Sequence, residues 1–185
     1  MEMWKDKLRE IEKIKNIYGE QINVGALEKE LNIFSESMKN ECNMNLPEEY
    51  LNFLGFIKAL LYDYSNSEVQ KLIPKIDDSK ELHIYAYNYN WDNGFDIPEE
   101  IMKNKECTLS TALLLFYRAD GERYLLEKSN IIPSDWSEFM IKLYSSIMNG
   151  KYRVDGIGFK APLSRVQLLK MKKELDKNEN ILLKK

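Results

Sequence analysis

The chain holds one histidine and two cysteines in 185 residues, and that scarcity excludes much chemistry at the outset. A lone His83 rules out any two-histidine metal site and leaves one candidate base for every Ser-His or Cys-His mechanism. Cys42 and Cys107 lack the paired spacing of a zinc site and cannot build a disulfide framework, so both are expected as reduced, buried small hydrophobes. There is no nucleophile elbow and no Gly-rich phosphate loop. The longest apolar run, Ala112 to Tyr117, falls far short of the roughly 20 residues that span a bilayer. The N-terminus is charged from Glu2 onward and has no signal-peptide h-region, so a cytoplasmic protein without membrane partners is expected. A formal charge of −3 supplies no basic face for nucleic acid. The Lys-rich stretch 170–185 is interrupted by Glu174, Asp176 and Glu179, as on a solvated helix face.

What is present is the composition of a soluble globular protein, 44% hydrophobic and 31% charged. Apolar residues recur at helical spacing along most of the chain. Trp4, Leu8, Ile11 and Tyr18 form one stripe, closed by Gly19; Leu27, Leu31, Phe34 and Met38 form a second. Pro47, Glu48 and Glu49 open a third helix with Tyr50, Phe53, Leu54, Ile57, Leu61 and Tyr64 on its face. Ser65 to Ser67 break the pattern, and a short helix then stops near Pro74. Residues 81–90 fit a strand (Leu82, Ile84, Ala86) or a helix (Leu82, Tyr85, Ala86, Tyr89), and helix is favoured. Thr108 or Ser110 caps a core helix through Tyr117, ended by Asp120-Gly121. Trp136, Phe139, Met140, Leu143, Tyr144, Ile147 and Met148 mark a helix from Ser134 to Gly150. Residues 152–159 suggest a hairpin turning at Asp155-Gly156; Ser164 caps a last helix carrying Val166, Leu169 and Leu175, and ENILLKK is expected to fray. The fold class is therefore mostly α, with seven to nine helices and at most one short β-hairpin, divided into an N-terminal helical segment 1–64 and a helical domain 65–185.

Residues 88–98, NYNWDNGFDIP, have a composition that packing alone does not call for. Asn93-Gly94 signals a turn and Pro98 opens a helix, so the polar block is a loop between ordered elements. Tyr89-Asn90-Trp91-Asp92-Asn93-Gly94, followed by Ile97-Pro98, Cys107 and Thr111-Ala112-Leu113 with Phe116, resembles the bacterial domain of unknown function numbered four-two-seven-four, a family that implies identity without mechanism. At the other end, residues 3–19 (MWKDKLREIEKIKNIYG) and 46–60 (LPEEYLNFLGFIKAL) resemble the N-terminal helices of the SUKH superfamily, whose members include many bacterial immunity proteins against polymorphic toxins. The strand-rich body that normally follows in that superfamily is absent.

Four carboxylates, Asp92, Asp96, Glu99 and Glu100, crowd into nine residues. A pair of them with His83 would suit a small hydrolase or transferase. The plainer reading makes Asp96 the cap of the Pro98 helix and Glu99 and Glu100 the complement of its dipole. As a calcium loop the segment is defective, with Asn88 in place of the first Asp and Asn93 in place of the sixth-position Gly. No metal, no cofactor and no catalytic residue is therefore assigned. The expected function is non-enzymatic protein binding, as an immunity factor neutralising a toxin, through Tyr89, Asn90, Trp91, Asp92, Asn93 and Asp96. The alternatives are the Asp92/Asp96/His83 enzyme and a structural helical adaptor. Trp91 is read either as an interface anchor or as a plug in the core.

Overall fold

The computed structural model describes residues 64–154 and 156–183. The N-terminal stripes, the LPEEY helix with its SUKH resemblance, and Cys42 lie outside the described residues. From Ser65 onward the chain forms one compact unit. Its elements are α1 (Asn66–Leu72), a 3-10 turn at Ile73–Lys75, α2 (Ser79–Asn88), a 3-10 turn at Trp91–Asn93, α3 (Asp96–Lys103), α4 (Leu109–Arg118), α5 (Gly121–Glu127), α6 (Asp135–Met148), α7 (Arg165–Glu174) and a 3-10 segment at Lys177–Leu183. The fold is mostly α, and no strand occurs among the described residues.

Local chemistry sets the boundaries. Asp78 accepts the Lys80 and Glu81 N–H groups at 2.8 and 3.0 Å and starts α2. Segment 81–90 is thereby helical, and its double pattern has a simple cause: Glu81, Leu82, His83, Ile84, Tyr85 and Ala86 are all buried, so no polar face exists to declare a period. Thr108, rather than Ser110, caps α4 by accepting the Thr111 N–H. Ser134 caps α6, and Ser164 with Gln167 forms a reciprocal capping box on α7. α4 is the central element. It packs against both α2 and α6, and Leu109 to Phe116 are buried without interruption.

Several boundaries depart from the sequence expectations. Asp120 adopts φ 66°, and the residue after it opens α5, a helix that reading Asp120-Gly121 as a stop conceals. Asp tolerates the left-handed region better than most residues, so the reversal needs no glycine φ. Among the described residues of 152–159 none forms a strand. Arg153 instead gives its carbonyl to the Leu109 N–H at 2.9 Å, capping the free amino end of α4, and Phe159 stacks on Tyr117. Val166 and Leu169 on α7 are exposed while Met171 is buried. Finally, ENILLKK does not fray over its described part. Leu182 and Leu183 are buried, and the Tyr117 hydroxyl donates to the Leu182 carbonyl at 2.8 Å.

Glu179 locks that last segment in place. The residue is 3% exposed, and its carboxylate accepts from Lys128 Nζ at 2.5 Å, from the Tyr144 hydroxyl, and from the Asp176 N–H at 3.0 Å. Burial raises its pKa, but these donors together outweigh burial and hold the carboxyl below its usual 4.5. A group depressed on folding adds stability above its unfolded value and forfeits it as pH falls through the folded one. The melting temperature should therefore drop on acidification below 4.5, and Glu179→Gln should flatten that acid limb. Melting curves from about pH 7 to about pH 3 test this; an acid limb identical in both proteins rules out Glu179 as a contributor.

Candidate functional site

The loop between α2 and α3 is built on a row of rings. Tyr89 packs edge-on to Trp91 with centroids 5.5 Å apart, Trp91 lies 6.2 Å from both Phe95 and Phe139, and Phe95 stacks on Phe139 at 5.1 Å. Phe139 comes from α6 and is fully buried, so the loop is anchored to a distant helix. Neither Phe95 nor Phe139 stood out in the sequence as part of this site. Phe139 read as one member of a helical stripe, and nothing local marks which stripe residue a loop will choose.

The backbone turns tightly above these rings. Asn90 caps the 3-10 turn by accepting the Asp92 N–H at 3.1 Å, the Asn93 N–H reaches the Asn90 carbonyl and the Gly94 N–H the Trp91 carbonyl. The turn expected at Asn93-Gly94 is present in altered form: Asn93 stays in the 3-10 turn, and only Gly94 takes a positive φ, 83°. The Tyr89 hydroxyl donates to the Gly94 carbonyl at 2.9 Å. Burial, with the Asp96 carboxylate nearby, pushes that hydroxyl up to about 12, so it remains a donor. Asp96 is not a cap; it is the first residue of α3, with Phe95 at the cap position. Its carboxylate is still favourably placed at the positive end of the helix.

The candidate residues divide by exposure. Asn90, Asp92, Asn93 and Asp96 are exposed, Trp91 is half-buried and Tyr89 is buried. Trp91 thus has the placement of a plug, with one anomaly. Its indole Nε1 is enclosed by protein and has no hydrogen-bond acceptor, a state that costs about 1–3 kcal/mol.

His83 does not join Asp92 and Asp96. It is fully buried, with Nδ1 3.0 Å from the Thr111 hydroxyl, while both aspartates face solvent. A ring that solvent cannot reach and two solvent-facing carboxylates do not compose a shared reaction centre. The calcium-loop positions are committed elsewhere as well. The Asn88 amide donates to the Ile84 carbonyl, the Asn90 oxygen caps the 3-10 turn, and Glu99 pairs with Lys142 at 2.8 Å and Lys103 at 3.7 Å. Among the described residues no three His, Cys, Asp or Glu side chains are grouped to hold a metal.

Residues 77–148, the stretch that contains this loop and the helices beneath it, match the family model described as Domain of unknown function (DUF4274). The chain contains a DUF4274 domain. No curated protein and no solved structure matches the chain. The DUF4274 segment takes in α2 to α6 and so includes Phe139, the loop's anchor, as well as Tyr89 to Asp96. Four elements of the compact unit fall outside it: α1, the Ile73–Lys75 turn, α7 and the 177–183 segment. The Ile73–Lys75 turn is tied to the DUF4274 segment by the Asn104 amide, which donates to the Ile73 and Ile76 carbonyls at 2.7 and 3.0 Å. The 177–183 segment is tied to it by Glu179. Among the described residues, no helix is long and apolar enough to cross a membrane.

Proposed function

We propose that this chain is a non-enzymatic protein-binding protein acting in the bacterial cytoplasm through the loop at residues 89–96, and that its partner is a toxin that it neutralises. The observation that carries the binding reading is the arrangement of that loop: four exposed hydrogen-bonding side chains, Asn90, Asp92, Asn93 and Asp96, held by a ring cluster reaching into α6. Polar groups displayed on a rigid aromatic base lose little conformational entropy when a partner docks. Asp92 and Asp96 favour a partner whose facing surface is basic, because charge complementarity selects the partner and speeds encounter. The toxin as partner is supported by the resemblance of residues 3–19 and 46–60 to SUKH-type immunity proteins.

The test is a titration against the purified product of the neighbouring gene, inactivated where it is toxic. Asp92→Lys should weaken binding by about 2 kcal/mol or more, roughly 30-fold in Kd, with the melting temperature unchanged. Equal affinity of the variant and the parent would remove this loop from the interface.

A further inference from the structure

We infer that residues 90–94 of the loop form a hinged flap whose open form swings Trp91 away from Tyr89, Phe95 and Phe139, so that its indole N–H meets an acceptor on the partner, a main-chain carbonyl or a carboxylate. This rests on the reading of the loop as the binding surface. Two described indoles can be compared. Trp136 donates to the Ala119 carbonyl at 2.7 Å, whereas Trp91 Nε1 is enclosed with no acceptor. Buried donors are overwhelmingly paired in folded proteins. An orphaned one raises the free energy of the closed form alone, because in an open form solvent or a partner supplies the bond.

The loop is also built to move as a unit. The bonds that shape its turn lie within it, from Asn93 and Gly94 to Asn90 and Trp91. Gly94 adopts φ 83° and ψ −158° with open space where a side chain would stand, a backbone position free to rotate. Two bonds close the turn over its surroundings: the Tyr89 hydroxyl donates to the Gly94 carbonyl at 2.9 Å, and the Asn93 amide donates to the Asn66 side-chain oxygen of α1 at 3.5 Å. What opposes opening is the packing of the Trp91 ring on Tyr89, Phe95 and Phe139. The open form is therefore a minor population that a partner can select.

Solvent exchange of the indole N–H protons, followed by NMR on the full chain, tests the flap without a partner. Trp91→Phe identifies the Trp91 signal, and Trp136→Phe, or Trp4→Phe by elimination, identifies that of Trp136. The Trp91 proton should exchange about tenfold or more faster than that of Trp136 under native conditions. Tyr89→Phe, which removes the shorter of the two closing bonds, should quicken Trp91 exchange further and leave Trp136 unaffected. Trp91→Phe should not lower the melting temperature, since it deletes the orphaned donor and keeps an aromatic ring. A Trp91 proton as protected as that of Trp136, or one indifferent to Tyr89→Phe, overturns the flap. If binding is nevertheless lost in Asp92→Lys, the flap alone is discarded and the interface stands. Fast Trp91 exchange with full binding by Asp92→Lys overturns both the interface and the role assigned here to the flap.

Discussion

Phe116→Ala should lower unfolding free energy by about 3–5 kcal/mol, a large share of the roughly 5–15 kcal/mol that keeps a domain folded. Phe116 is fully buried in α4 and meets the rings of Tyr117 and Tyr124 edge-on at 5.5 and 6.1 Å. Truncation removes both the transfer free energy of the ring and its edge-to-face contacts, and it leaves a void between elements that α4 itself holds apart. Denaturant titration reads the effect as a lower midpoint at an unchanged slope. A midpoint equal to that of the parent would show that α4 is not the centre of the core.

Gly121→Ala should be destabilising by about 1–3 kcal/mol or more, the reverse of what the same substitution usually does in a helix. Alanine in a helix is ordinarily favoured over glycine by about 0.5–1 kcal/mol. Here a Cβ would stand 2.3 Å from Phe116 Cδ1, 2.4 Å from Cε1 and 2.6 Å from the Phe116 carbonyl oxygen. A ring can turn aside, but a carbonyl within α4 cannot without disturbing the helix, so the steric term exceeds the propensity gain. Because the ring contributes two of these three close approaches, Gly121→Ala combined with Phe116→Ala should cost less than the sum of the separate losses. The shortfall should lie between about 0.5 and 3 kcal/mol. Strict additivity of the two, or a gain in stability from Gly121→Ala alone, would contradict the tight passage of α5 over Phe116.

How much of this was readable beforehand varies along the chain for physical reasons. α6 was legible from its spacing because one face is buried and the other wet, the condition under which a period shows. The helix through 81–90 was legible only as an ambiguity, since burial from Glu81 to Ala86 erases the period; Asp78, capping from three residues upstream of Glu81, was the signal to weigh. α5 was hidden because glycine after aspartate usually ends a helix, whereas Gly121 is there for closeness to Phe116. The 177–183 segment was hidden because its hold depends on Lys128, Tyr144 and Tyr117, far away in sequence. At the loop, the exposed polar residues and the tight turn were visible in the sequence. The ring cluster was not, because Phe95 and Phe139 meet only in three dimensions.

The bond from Tyr117 to the Leu182 carbonyl spans 65 positions, and it bears on how the chain is made. A ribosome adds about 5–20 residues per second, so Tyr117 is in place roughly 3 to 13 s before the residue that covers it has been joined. Until Leu182 has been joined and can fold back, the bond that closes the 177–183 segment over Tyr117 cannot form. The last-made part of the described chain thus completes packing begun by helices made earlier, and the unit closes only once Glu179 and Leu182 are free to dock.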